Sequence, residues 1–359
     1  LYQFSRYKGR HLPLDFLRGV AALGIVVHHY LAWTKIGGVQ SLGTFGVYTF
    51  FILSALTMMM VYDQEFSSGI KVESLKAFYR NRFARIVPLL TLVATIYLLL
   101  APGGSWDKTV IRLAQAVLTG TGLFAFHLPG YIGTGAGVWS LGIEILFYAL
   151  FPMVCLLARS TTTWNFAIAL VVSIVGQMAL FSVIAPMYGK TPGTHFDFFN
   201  AFLMHAPFFV IGVLIYALPN GKIRGAFPIG AAIFLGAVAS SLWIKIPVFT
   251  SQGYFLALTA ACGLSVALLY RSELPPFLAA PSTFFGEISY SLYLLHPIVF
   301  NLWSKAGLNL TGPLNGTAFF LVAIGTAYLS HRFFEKPARD ALRDRKASRP
   351  SDVPASSPL

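Results

Sequence analysis

An arginine and a histidine eleven residues apart in one apolar stretch are the first candidates for chemistry in this chain. The stretch reads LDFLRGVAALGIVVHHY. At 3.6 residues per turn, Arg18 and His29 return to within about 20° of one helix face, and Asp15 lies within about 60° of Arg18. His28 points roughly 80° away from Arg18, which selects His29 of the two histidines. His29 is expected about 22 Å above the cytoplasmic end of the helix, with Arg18 about 16 Å below it. Ionisable groups are costly inside a bilayer, so each marks a functional candidate.

Three further titratable groups fall at a similar depth. Glu144 lies in WSLGIEILFY, His205 in an apolar segment, and His296 in SYSLYLLHP. A carboxylate in lipid needs a partner. His205 has a plain alternative as a packed helix residue, and His296 as support for a kink at Pro297. A second cluster, FYRNRFARIVP, holds Arg82 and Arg85 as i,i+3 neighbours with Arg80 nearby. It is either a membrane anchor or an anion site, because paired guanidinium groups grip phosphate in a fork. Ser54 in FFILSAL reads as a close-packing residue.

The elements that position these groups follow from composition. Hydrophobic residues make up 56% of the 359-residue chain and charged residues 11%, against about 25% charge in soluble domains. Mean hydropathy is +0.68. The expectation is an all-α polytopic membrane protein of about ten transmembrane helices. Spans are predicted near 14–34, 44–62, 86–102, 139–158, 163–185, 200–217, 227–245, 253–270, 284–304 and 316–335. Segment 109–126 is apolar but interrupted by Arg112, Gln115 and Gly120. It reads as interfacial or partly re-entrant. The first apolar segment reads as a retained helix rather than a cleaved signal.

Charge orients this topology. Of the 26 Lys and Arg, nineteen fall in the N-terminal, alternate inter-span and C-terminal stretches, and six in the others. The positive-inside rule then puts both termini in the cytoplasm. The net charge of +13 is read as topology plus attraction to anionic lipid, not nucleic-acid binding. The expected organisation is a cytoplasmic segment 1–11, a membrane domain 12–337 and a basic, disordered tail 338–359. Cys155 and Cys262 suggest neither a disulfide framework nor a metal site. No G-x-S-x-G, H-E-x-x-H, P-loop or G-x-G-x-x-G occurs, so a serine hydrolase, zinc protease or nucleotide-driven pump is unsupported.

Together these residues resemble the membrane acyltransferase-3 family, bacterial O-acyltransferases that modify cell-surface glycans. The resemblance runs from about residue 12 to 337. LDFLRGVAALGIVVHHY resembles the family's Arg, ten residues, then catalytic His; RNRFARIVP its R-x-x-R-I-x-P element. WSLGIEILFYALFP resembles its W-S-L-x-x-E-x-x-F-Y-x-x-F-P stretch, and SYSLYLLHP and FFEKP match as well. Ala55 stands where the family usually has glycine after Ser54. Many relatives carry an extra span and a periplasmic SGNH domain; neither is expected here.

The resemblance implies catalytic roles for His29, Arg18 and Glu144, and a cytoplasmic acyl-CoA donor, most often acetyl-CoA, with no permanently bound cofactor. Arg82, Arg85 and Arg18 would hold the donor. Trp139, Ser140, His205, Tyr290 and His296 are candidate acceptor contacts. Glu144 could orient His29 or raise its basicity. His29 could act as general base or carry the acyl group. The implied acceptor is a glycan or glycolipid hydroxyl, and the implied location the bacterial inner membrane. Oligomeric state is open. The rival class is a proton-coupled transporter or flippase, which also uses intramembrane Arg, His and Glu.

Overall fold

The computed structural model describes residues 11–343, except 38, 68, 128–132, 160–161, 185–199, 219–220, 244–251 and 310. Among the described residues every regular element is helical. The helices are α1 (Leu12–Trp33), α2 (Gln40–Ser67), α3 (Val72–Leu100), α4 (Trp106–Thr121), α5 (Val138–Arg159) and α6 (Thr163–Ala179). There follow α7 (Phe202–Ala217), α8 (Ala226–Trp243), α9 (Gln252–Tyr270), α10 (Ala279–Lys305), α11 (Pro313–Ser330) and a short α12 (Lys336–Leu342). A π-helical turn, His331–Glu335, joins α11 to α12.

Seven helical segments are long and apolar enough to cross a membrane: α1, α2, α3, α5, α6, α9, and α11 with its continuation to Leu342. The three other expected spans fall short for different reasons. α7 and the stretch Ala226–Ser240 of α8 are apolar but shorter. α10 has 27 residues but carries Ser289, Tyr290, Ser291, Tyr293 and His296, all buried. Their polar atoms bond inside the bundle: Tyr290 to the Ile86 carbonyl, Ser291 to Glu335, Tyr293 to the Gly137 carbonyl and His296 to its own helix. A helix whose polar face is satisfied by protein neighbours tolerates low hydropathy at the centre of a bundle.

Contacts along the helices fix their relative directions. Gly286 sits against Asp15 and His296 against His29, so α1 and α10 run the same way. Two glycines permit this approach. A Cβ on Gly286 would lie 2.7 Å from the Asp15 Cβ, and one on Gly19 2.7 Å from the Phe285 Cβ. Small residues let membrane helices pack backbone to backbone. α3 also runs parallel to α10: Tyr290 bonds the Ile86 carbonyl, and Lys305 Nζ the Leu100 carbonyl at 2.8 Å. The bundle thus has an end rich in arginine, near Arg18, Arg82 and Arg85, and an end carrying His29 and His296.

Segment 109–126 does not cross. α4 starts beyond the C-terminal end of α3 and runs back beside it, with Thr91 Oγ1 bonded to the Gly120 carbonyl at 2.8 Å. A 3-10 turn follows at Leu123–His127. By Gly135 the chain is again beside Tyr97. It enters and returns at one end, the re-entrant option.

Two expected boundaries move. α3 begins at Val72, so the basic stretch lies within a continuous helix rather than opening a span near 86. The expected tail from 338 begins as helix: α12 packs on α3, and Arg80 Nε donates to the Leu342 carbonyl at 2.7 Å. The N-terminal residues 1–10 and the tail beyond 343 lie outside the described residues.

Candidate active site

The close approach of α1 and α10 brings His29 onto His296. His29 Nδ1 lies 2.8 Å from His296 Nε2. His296 Nδ1 lies 2.9 Å from the Leu292 carbonyl oxygen. A carbonyl only accepts, so His296 Nδ1 carries the proton. With both rings neutral, His296 Nε2 is an acceptor and His29 Nδ1–H donates to it. The Nε2 lone pair of His29 is left for chemistry. His296 is 1% exposed while His29 is half-buried, so the inner ring positions and the outer ring remains reachable. Trp33, one turn beyond His29, stacks on it with ring centroids 4.6 Å apart and planes 8° apart.

His28 turns away as the helix register requires. Its Nδ1 lies 3.0 Å from the Val39 carbonyl, tying α1 to the entry of α2.

Glu144 does not reach the His pair. It lies in a chamber of about 110 Å³ toward the arginine end. One carboxylate oxygen accepts from Ser54 Oγ at 2.6 Å and from the Tyr148 hydroxyl. The expectation that Glu144 orients His29 is therefore replaced: His296 occupies that position. Arg18, Arg82 and Arg85 line one end of the chamber, and Ser140 and Tyr293 the other. The Tyr293 hydroxyl donates to the Gly137 carbonyl at 2.7 Å and lies 2.7 Å from Ser140 Oγ. The Tyr293 ring centroid is 6.4 Å from that of His296, so Tyr293 borders both the chamber and the imidazole pair.

The three arginines differ in their partners. Arg18 is 3.5 Å from Asp15. Arg85 is 2.5 Å from Glu335, over the Tyr290 ring. The second Glu335 oxygen accepts from Ser291 at 2.7 Å and lies 3.2 Å from His331 Nδ1. Arg82 lies between aromatic faces instead, 5.4 Å from the Tyr62 ring centroid and 5.7 Å from that of Tyr148; it donates to the Tyr62 hydroxyl at 3.3 Å and has no carboxylate partner among the described residues. Arg82 is thus the arginine most available to an incoming anion.

The remaining candidates separate. Ser140 and Tyr290 line the chamber. Trp139 faces His205 with ring centroids 5.4 Å apart. His205 is fully buried among Tyr48, Phe51 and Phe208, in an aromatic cluster apart from His29. Sequence reasoning missed Trp33, Tyr148 and Tyr293. The first two sit four residues from His29 and Glu144, a helical spacing that marks neighbours. Nothing comparable marks Tyr293, whose partners come from α5.

An acyltransferase domain model matches residues 12–332, nearly the whole described bundle. The chain belongs to the acyltransferase-3 family. A provisionally named O-acetyltransferase of Staphylococcus aureus strain COL is 26% identical over 391 residues, covering 98% of this chain and 61% of its own. The O-acetyltransferase OatA of Staphylococcus aureus strain NCTC 8325 is 26% identical over 372 residues, covering 93% of this chain and 58% of its own. The chain thus spans about three fifths of the length of these curated relatives. No solved structure matches it significantly.

Proposed function

We propose that this acyltransferase-3 protein moves a short acyl group, acetyl foremost, from acyl-CoA to a hydroxyl of a cell-surface glycan or glycolipid precursor. The observation that carries this reading is the His29–His296 contact, which leaves His29 Nε2 as an oriented base. His29 Nε2 takes the proton of the acceptor hydroxyl as its oxygen attacks the thioester carbonyl. The C–O ester bond forms, the C–S bond breaks, and the leaving thiolate recovers the proton from His29 Nε2–H as free CoA thiol. While His29 is protonated, His296 Nε2 accepts from Nδ1–H and the Trp33 face lies against the cation. The donor's phosphates dock at the arginine end on Arg82, with Arg18 and Arg85 beside it. Its pantetheine arm passes through the chamber beside Glu144 toward Tyr293. Ser140 and Tyr293 line the end of the chamber nearest the imidazoles.

On this reading ten helices cross the bacterial inner membrane, α10 as a buried polar span and α4 as a re-entrant element. The arginine end and both termini are then cytoplasmic. The parallel course of α1, α3 and α10 supports this parity, and the cation asymmetry supports the sidedness.

The test uses membranes containing the wild-type protein or its His29→Ala variant, incubated with labelled acetyl-CoA. Base-labile label in extracted glycans or glycolipids is expected with the wild type alone. Equal labelling by both would remove His29 from the chemistry. A stable label on the protein itself, discharged by acceptor, would replace the base role with an acyl-carrier role.

A further inference from the structure

A second cavity, of about 480 Å³, opens at the arginine end and shares Arg18, Arg82 and Arg85 with the chamber. Its size lies in the ~300–1,000 Å³ range of small-molecule sites. The shared arginines form its floor. Part of its rim comes from α12 and the residue that ends it: Lys336, Arg339 and Arg343 line it. Asp15 and Glu287 also face the cleft, so cations outnumber carboxylates on its walls. α12 is held in place at both ends. Glu335, just before it, pairs with Arg85, and the Leu342 carbonyl at its end accepts from Arg80. The family model's match ends at residue 332, and Arg339 and Arg343 also lie beyond the FFEKP stretch that holds Lys336.

The two cavities together describe a ligand in two parts. The wide, basic cleft suits a polyanionic head, and the narrow chamber a thin neutral arm. The anionic groups of such a head need cations at two distances from the arm. The floor arginines serve the group next to the arm, and the α12 rim serves a group farther out.

Building on the donor reading above, we infer that Lys336, Arg339 and Arg343 form a binding site for the 3′-phosphate of coenzyme A, while the floor arginines take its diphosphate. The rim therefore selects a donor bearing that phosphate over one lacking it. The selection acts on donor binding, because these side chains lie at the far end of the chamber from His29.

The experiment uses the full chain in a non-ionic detergent, which removes anionic lipid as an alternative partner. Binding of acetyl-CoA and of 3′-dephospho-acetyl-CoA is measured for the wild type and for a Lys336→Gln, Arg339→Gln, Arg343→Gln variant. The wild type is expected to prefer acetyl-CoA by about tenfold or more, the scale of one hydrogen bond to a charged group. The variant is expected to lose that preference and keep its affinity for the dephospho donor. A single Arg343→Glu variant, less disruptive to α12, should lower the preference in the same direction. Equal preference in wild type and triple variant overturns the inference and leaves the donor reading standing. A wild type that binds neither nucleotide overturns the donor reading and the inference with it. Loss of binding to both donors by the variant alone, at an unchanged melting temperature, overturns the 3′-phosphate assignment in favour of a general electrostatic role.

Discussion

His29 and His296 meet through one nitrogen of each ring, Nδ1 to Nε2 at 2.8 Å, and the far nitrogen of His296 is anchored to the Leu292 carbonyl. Each ring thereby sets the tautomer of the next. The carbonyl is the fixed acceptor from which the whole sequence follows. One ring is buried and the other half-buried, so only His29 offers its free nitrogen to a substrate.

Removing His29 should cost about 10²–10⁴-fold in acyl transfer, the usual range for a general base. Donor affinity should hardly change, because the arginine end is untouched. The check is a steady-state rate with labelled acetyl-CoA beside a binding isotherm. A wild-type rate in His29→Ala would exclude the centre.

Replacing His296 should act through His29. His296→Ala leaves His29 Nδ1 without its acceptor, and kcat should fall about 10²-fold with KM for the donor nearly constant. His296→Gln offers an amide oxygen that can accept from Nδ1–H, and should recover part of the loss. Identical rates for the two variants would mean that His296 only fills space.

Arg82 and Arg85 should behave differently despite their i,i+3 spacing. Arg85→Ala strands Glu335, which is 2% exposed, and should destabilise the protein by roughly 3 kcal/mol. That figure is the low end for a broken buried pair, because the Arg85 side chain keeps 30% exposure. Arg82→Ala should leave the melting temperature nearly unchanged and raise KM for the donor. Thermal unfolding in detergent and donor titration separate the two, and matching profiles would refute the division of roles.

Gly286→Val should separate α1 from α10. A Cβ there already meets the Asp15 Cα at 2.8 Å, and overpacking of this kind costs about 1–3 kcal/mol. Because His29 depends on the same helix pair, transfer should fall with stability. Full activity at a lowered melting temperature would show that the His pair survives without close packing.

His205→Phe should retain transfer, since His205 sits in an aromatic cluster and does not touch His29. A loss beyond tenfold at unchanged stability would return His205 to the site.

Much of this was legible in the residues because helices are periodic. The register that chose His29 over His28 survives in the structure, where His28 bonds Val39 instead. The i,i+3 relation of Arg82 and Arg85 likewise places both on the chamber. What failed was inference by depth. Glu144, His205, His29 and His296 share a level by their distance along four helices, but depth says nothing about rotation between helices. Glu144 turned toward Ser54 and Tyr148, and His205 toward Tyr48 and Trp139. Seven of the ten expected spans are long and apolar enough to cross a membrane, and α10 is less apolar because its polar groups face protein.

The helical, apolar character of the chain and the shared face of Arg18 and His29 on the first helix can be read from the residues alone. Those properties depend on composition and on the fixed turn of an α-helix. Which of these groups meet is set by how the helices pack. The approach of α1 to α10 at Gly19 and Gly286 selected His296 rather than Glu144 as the partner of His29. The folding of α12 against α3 added the rim cations to the donor end. Contacts between residues hundreds of positions apart depend on how helices rotate and cross, and no local period in the sequence encodes that.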